Sequence, residues 1–188
     1  MAVAILIALW IWDELGFNHY FKNHQAIAQV MTTQTFNGET GTGQAVAESL
    51  GEELRNKYGS DFKAVGMSSW NFGHILAVGE KKISASGMWV EPVFPTMLAL
   101  NIEKGNINGL ADPSAILLSS SLTKSLFGIK DPINKTVRLD NKYDFKVAGV
   151  YEDFPHNTSL NDTKILLSWD KYLTTENWLK EAKTQWGN

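Results

Sequence analysis

Cysteine is absent from the 188 residues, which excludes disulfides and thiolate chemistry and leaves cysteine pairing silent about redox compartment. An excess of basic charge is missing too. The 17 Lys and Arg stand against 20 Asp and Glu, a net charge of -3 with a sequence pI near 5.8, so there is no electrostatic case for nucleic acid. Metal-site spacing is lacking: His19 and His24 are not the facing i, i+4 pair of a helical zinc site, and His74 and His156 stand alone without a clear carboxylate partner. The glycine-rich residues 36–44, FNGETGTGQ, space Gly38 and Gly43 like a phosphate-binding loop but supply Gln44 and Ala45 where Lys and Ser/Thr are needed. They read as a flexible loop before a helix, and neither a cofactor nor a metal is expected. The N-terminus has no basic n-region and no small-residue cleavage site of the kind a signal peptide carries.

What is present points to a folded domain. Hydrophobic residues make up 44% and aromatics 11%, enough for a core, and the length fits one domain or two small ones sharing a core. Residues 1–12, MAVAILIALWIW, are apolar throughout but shorter than the roughly 20 residues a bilayer span needs. They read as the outer end of a transmembrane helix, with Trp10 and Trp12 at interface depth; periodicity alone also allows a buried N-terminal helix of a soluble domain. Asp13 and Glu14 follow, and no Lys or Arg occurs until Lys22, the pattern of a non-cytoplasmic flank. Residues 13–30 are expected to continue as a helical stalk turning into a strand.

Residues 44–58 carry the clearest helical pattern, with Val46, Leu50, Leu54 and Tyr58 in one stripe. Glu48, Glu52 and Glu53 precede Arg55 and Lys57 as the helix dipole prefers, Glu53 and Lys57 form an i, i+4 pair, and Gly59 ends the run. Such a helix is expected to lie on a sheet. The sheet is supplied by residues 62–70, 74–78 and 83–90, with Gly79-Glu80 as a turn and Ser68, Ser69, Ser84, Ala85 and Ser86 marking an exposed face. Glu91-Pro92 opens a short helical segment whose apolar side is Phe94, Met97, Leu98 and Leu100, and residues 106–113, rich in Asn, Gly and Asp, read as a subdomain boundary.

Residues 114–157 are the most decisive. A short apolar run, 115–119, meets serines able to cap a helix bearing Leu122, Leu126 and Phe127, and Gly128 ends it. Asp131-Pro132 turns the chain. Val137 and Leu139 alternate as in a half-buried strand, Asp140-Asn141 forms a hairpin tip, and Tyr143, Phe145 and Val147 face one way on the return strand until Gly149 and the break at residues 152–155. Beyond lie a polar loop over 157–163, a brief strand over 165–168, a helix over 176–186 and a closing turn over 186–188. Asn134, Asn157 and Asn161 each begin an N-x-Ser/Thr triplet.

Ser121-Leu122-Thr123-Lys124 matches the Ser-x-x-Lys nucleophile arrangement of penicillin-binding proteins and β-lactamases. Its companions are missing: there is no Ser-Asp-Asn, and Lys135-Thr136-Val137 lacks the glycine that lets a substrate reach the strand. Ser121 serves equally as a helix cap. Glu152, Asp153 and Asp162 read as turn residues and solvated charge, so no catalytic residue is assigned. Trp70, Phe72 and Trp89 are the aromatics that could be exposed for contact, or simply packed.

Several blocks, in order, resemble the periplasmic core domain of FtsX-like and MacB-like ABC-transporter permeases. They are Asp13-Glu14-Leu15 with Phe17, Tyr20-Phe21-Lys22-Asn23, and Ile27 with Val30, where Ala28-Gln29 replaces the usual Tyr-Arg. Glu91-Pro92, Phe94, Met97-Leu98 and Gly105 come next. Leu126-Phe127-Gly128, Asp131 to Lys135 with Asn134 for the usual glycine, Val147-Ala148-Gly149-Val150 and Asp153-Phe154-Pro155 complete the set. The resemblance implies an α+β, two-lobed mixed sheet and helix domain: 1–18 the end of a transmembrane helix and stalk, 19–105 a first, porter-like lobe, and 106–188 a second lobe. It implies a chain continuing past residue 188 into another strand and a return to the membrane. It also implies a non-catalytic domain on the periplasmic side of a bacterial inner membrane, a cytoplasmic ABC ATPase partner, a permease homo- or heterodimer and a possible periplasmic partner protein. The rival reading is an extracellular ligand-sensing domain of a membrane receptor.

Overall fold

A computed structural model describes residues 1–176, 178 and 179. The apolar start forms helix α1 (Ala2–Leu15), none of whose residues is buried. Among the described residues, no helix is long and apolar enough to cross a membrane. The expected helical stalk over 13–30 is helical only as far as Leu15, the end of α1; the rest is turns and irregular chain with one 3-10 turn, His24–Ala26. Tertiary bonds explain the early stop: Asn18 takes a left-handed φ of 62° and bonds a distant loop through its backbone and its side chain.

The glycine-rich stretch is a hairpin, correcting the expectation of a flexible loop. Strand β1 (Thr32–Phe36) pairs antiparallel with β2 (Glu39–Gly43) around Asn37 and Gly38, whose φ values of 52° and 84° are those of a two-residue mirror-image turn. Thr33 bonds Thr42 and Thr35 bonds Thr40 across the pair, at 3.0 and 2.9 Å. Helix α2 (Ser49–Tyr58) starts later than the periodicity suggested and does not lie along the sheet by its stripe; it buries only Gly51 and leaves Tyr58 exposed. It is held from one side. A Cβ at Gly51 would stand 2.7 Å from the Met67 side chain, and Arg55 grips Glu91 through two bonds of 2.8 and 3.1 Å. The foreseen Glu53–Lys57 pair forms at 2.8 Å, whereas Gly59 follows the helix with an ordinary right-handed φ of -58°.

The remaining strands make one sheet. They are β3 (Phe72–Val78), β4 (Lys81–Val90), β5 (Ile102–Gly105), β6 (Ala115–Ser119), β7 (Thr136–Leu139), β8 (Tyr143–Tyr151) and β9 (Thr163–Ser168), in the order β5-β8-β6-β9-β4-β3-β7. The architecture is α+β with parallel and antiparallel pairings mixed. Pairings β4–β9, β3–β7 and β5–β8 join residues up to 105 to residues after 106, and Leu110, within the Asn- and Gly-rich connection, is fully buried. Residues 62–70 contribute only a bridge between Ser68 and Val90, not the expected strand. The reason is edge occupancy: β3 covers β4 as far as Gly87, so only the last residues of that edge stay free for Ser68 and Ser69.

Strand β7 bonds β8 on one side and β3 on the other, so six strands close into a ring, with β5 added along the end of β8. Side chains alternate between two cores. Ile116, Leu118, Phe145, Val147, Ile165, Leu167 and Trp89 fill the inside, joined by Leu122 and Leu126 of α4 (Ser120–Phe127) and by Trp169 and Tyr172 of α5 (Trp169–Thr175). The other face carries Met88, Val90, Leu117, Tyr151 and Leu166 under Phe94 of α3 (Phe94–Met97), Leu98, Leu110, Phe154 and Phe21. The expected details of residues 114–157 are present: Ser119 caps α4, Gly128 closes it at φ 64°, and Asn134, Asp140 and Asn141 take left-handed φ. The helix expected over 176–186 and the turn over 186–188 lie almost wholly outside the described residues; α5, which ends before them, was not foreseen.

The seam that closes the ring is narrow. Strands β3 and β7 share only the pairs Leu76–Leu139 and Ala77–Arg138, and Asp140 extends them. Its carboxylate accepts from the Ile75 N–H at 2.8 Å and from His74 Nδ1 at 2.7 Å, while its own N–H donates to the Ile75 carbonyl at 2.8 Å. Hydrogen bonds to a charged group contribute about 1.5–3 kcal/mol each. Asp140→Ala is therefore expected to lower the urea-unfolding free energy by at least ~2 kcal/mol, against less than ~0.5 kcal/mol for Asp144→Ala on the exposed side of β8. Equal effects would show that the seam does not depend on Asp140.

Candidate functional site

The polar side chains converge where the N-terminal segment meets the turn that follows β8. That turn begins as the apolar alternation of β8 gives way to Glu152, Asp153 and Pro155. Glu152 Oε2 accepts from the Tyr20 hydroxyl at 3.3 Å and from Asn101 Nδ2 at 2.9 Å. Asn18 donates its N–H to the Asn157 carbonyl and accepts from the Ser159 N–H, both at 2.9 Å. His156 Nε2 reaches Asp13 at 3.1 Å, from the last turn of α1. Beneath these bonds Phe21 is buried, with its ring 5.8 Å from Phe154 and Phe154 5.4 Å from Tyr151. Burial and the nearby Glu152 carboxylate push the Tyr20 phenol up to about 12, so it remains a donor across the physiological range.

Asp153 connects this junction to the helix that closes one end of the ring. Its carboxylate accepts from the Ser121 N–H at 2.7 Å, from the Ser121 hydroxyl at 2.6 Å and from Lys164 at 2.7 Å. Partial burial acts to raise its pKa, but the bonds from Lys164 and Ser121 outweigh it and hold the group at about 2. A carboxylate on the first N–H groups of a helix stabilises the helix dipole, so Asp153 caps α4 from across the chain while Ser119 caps it locally.

This settles what Ser121 does in the resting structure. Its hydroxyl donates to a weakly basic carboxylate, and no hydrogen bond joins it to Lys124, so the Ser-x-x-Lys spacing does not assemble an activated nucleophile. Glu152 and Asp153 are bonded rather than merely solvated, correcting the expectation from sequence; Asp162 is exposed. His74 and His156 also gain carboxylate partners, Asp140 and Asp13, far away in sequence. His19 and His24 stack with ring centroids 4.5 Å apart. Among the described residues, no group of three or more His, Cys, Asp or Glu could hold a metal. Gly38 and Gly43 belong to the β1–β2 hairpin. Trp70 and Phe72 are exposed, whereas Trp89 is buried and stacks on Tyr172 at 5.3 Å. This junction was not legible as a site: Asn18, Tyr20 and Glu152 meet only after folding, and the local signals, the Tyr20-Phe21 block and the Asp-x-Pro break, do not say that they will meet.

Residues 1–186 match the MacB-like periplasmic core domain family. The chain belongs to that family. The fold agrees with that of solved structures. The periplasmic region of MacB from Actinobacillus actinomycetemcomitans aligns with a TM-score of 0.56 at 19% identity, over 71% of this chain and 59% of that one. A permease-protein domain from Porphyromonas gingivalis aligns at 0.64 and 20% identity, over 84% and 65%. The extracellular domain of the noncanonic ABC-type transporter YknZ from Gram-positive bacteria aligns at 0.54 and 16%, over 69% and 65%. At such identities these likenesses speak for the fold alone, and the chain spans less than two thirds of each. No curated protein sequence matches it.

Two outcomes follow from the geometry at Asp153. Its folded pKa lies below the ordinary 3.8, so the stability it contributes is present above that value and is lost as pH falls toward about 2. The difference in unfolding free energy between wild type and Asp153→Asn should therefore shrink over that window in acid titrations; a constant difference would show that the carboxylate charge is not what matters. Ser121→Ala should cost about 1.5–3 kcal/mol through the lost hydrogen bond to the charged carboxylate. Neither form should take up a fluorophosphonate or penicillin label, and labelling of wild type that vanishes in Ser121→Ala would establish a nucleophile.

Proposed function

We propose that this domain is the non-catalytic transmitting element of an ABC-transporter permease, carrying movement of a membrane helix to its outward-facing surface. In this reading residues 1–18 are the outer end of a transmembrane helix and its stalk. Residues 19–105 and 106–188 are two lobes sharing the sheet, on the periplasmic side of a bacterial inner membrane. The partners are a cytoplasmic ABC ATPase, a second permease chain in a homo- or heterodimer, and a periplasmic protein. The observation that carries the reading is the stalk junction. Phe21 lies in the core while Asp13, Asn18 and Tyr20 bond residues 152–159, so displacement of α1 is passed directly to β8 and, through Asp153, to α4. Packed elements respond to such displacement as units because interiors are close-packed.

The test is crosslinking and pull-down of the full-length chain from native membranes, followed by mass spectrometry, with protease added outside spheroplasts. Recovery of an ABC ATPase, together with external cleavage within this domain, is the expected outcome. Recovery of a kinase or regulator without any ATPase would favour a receptor's sensing domain and overturn the proposal.

A further inference from the structure

Past the end of α4, Gly128 turns the chain and carries Ile129 fully into solvent. Beside Ile129 lies a cleft of about 380 Å³ between α4, β5 and the turn up to Pro132, lined by Lys104, Lys124 and Lys130. Its carboxylate, Glu103, accepts from the Ser120 hydroxyl at 2.9 Å, and among the described residues none of the three lysines forms an ion pair. Lysines at the end of α4 suit its dipole, which accounts for Lys124 and Lys130. It accounts neither for Lys104, which comes from β5, nor for a bare aliphatic side chain at the apex of the turn. Unpaired lysines around an exposed aliphatic group are the composition of a peripheral contact with an anionic membrane surface.

The cleft is also in the right place. Strand β5 begins one residue after Asn101, which shares Glu152 with Tyr20, so the cleft adjoins the end of the sheet where the stalk docks. Phe21 is already buried in the core soon after α1 ends at Leu15; even a fully extended chain over that interval reaches only about 20 Å. The body therefore cannot stand far from the membrane that α1 enters. We propose that the Lys104, Lys124 and Lys130 cleft binds anionic phospholipid headgroups at the bilayer surface, with Ile129 entering the interface beside them. This rests on the reading of α1 as the end of a membrane helix.

The cysteine-free chain allows a direct test. The full chain carrying a single environment-sensitive fluorophore at Ile129→Cys, or at Ala8→Cys within α1, is mixed with vesicles of phosphatidylcholine alone or equimolar with phosphatidylglycerol. The Ala8 probe should shift to the blue in both. The Ile129 probe should shift only with phosphatidylglycerol, and Lys124→Gln with Lys130→Gln should weaken that response roughly fivefold per lysine. A shifted Ala8 probe with an unshifted Ile129 probe would overturn the contact and leave the α1 reading intact, whereas two silent probes would overturn both. An Ile129 shift that is equal in phosphatidylcholine, or insensitive to the lysine substitutions, would overturn headgroup binding.

Discussion

Between Ala115 and Ser119 every side chain is buried, so strand β6 requires an apolar layer on each of its faces. One layer is the inside of the six-stranded ring, completed by α4 and α5; the other is built from α3, Leu110, Phe154 and Phe21 of the N-terminal segment. A strand buried on both faces cannot shift register without placing its side chains in the wrong core. Strand β9 is constrained in the same way, and together these strands tie the halves of the chain into one sheet. The N-terminal segment takes part in the second core. For that reason its attachment to the body is a matter of packing as well as of surface hydrogen bonds.

Around this frame the polar groups act as connectors. Asp153 satisfies the start of α4 and holds Lys164, Glu152 holds Tyr20 and Asn101, and Asp140 closes the seam between β3 and β7. Each carboxylate follows the end of a strand; Asp153 and Asp140 accept from backbone N–H groups that would otherwise lack partners, and Glu152 accepts from two side chains. Their strained or depressed properties, such as the left-handed Asp140 and the low pKa of Asp153, follow from this structural work. The resemblance of Ser121 and Lys124 to a catalytic pair dissolves for the same reason. The hydroxyl is committed to a cap, and the carboxylate that receives its bond is a poor base.

The chain belongs to the MacB-like periplasmic core domain family, and its N-terminal segment enters one of the two cores through Phe21. The isolated β1–β2 hairpin and the lightly buried α2 lie outside the two cores.

Residues 114–157 were legible because their signals are local: a serine cap, a positive-φ glycine, an Asp-Asn hairpin tip and strict alternation act within a few residues of one another. The Asn37-Gly38 turn was equally local but was masked by glycine spacing that imitates a nucleotide loop. The sequence alone thus determined where along the chain most sheet strands lie, the apolar character of the first helix and the family frame. Ring closure, the burial of Trp89, the partners of His74 and His156, the clamp of Arg55 on Glu91 and the whole junction of the N-terminal segment with residues 152–159 were decided only by tertiary structure. They join residues as far apart as Asp13 and His156, and no period or spacing along the chain records which distant donor will meet which acceptor once the two cores have formed.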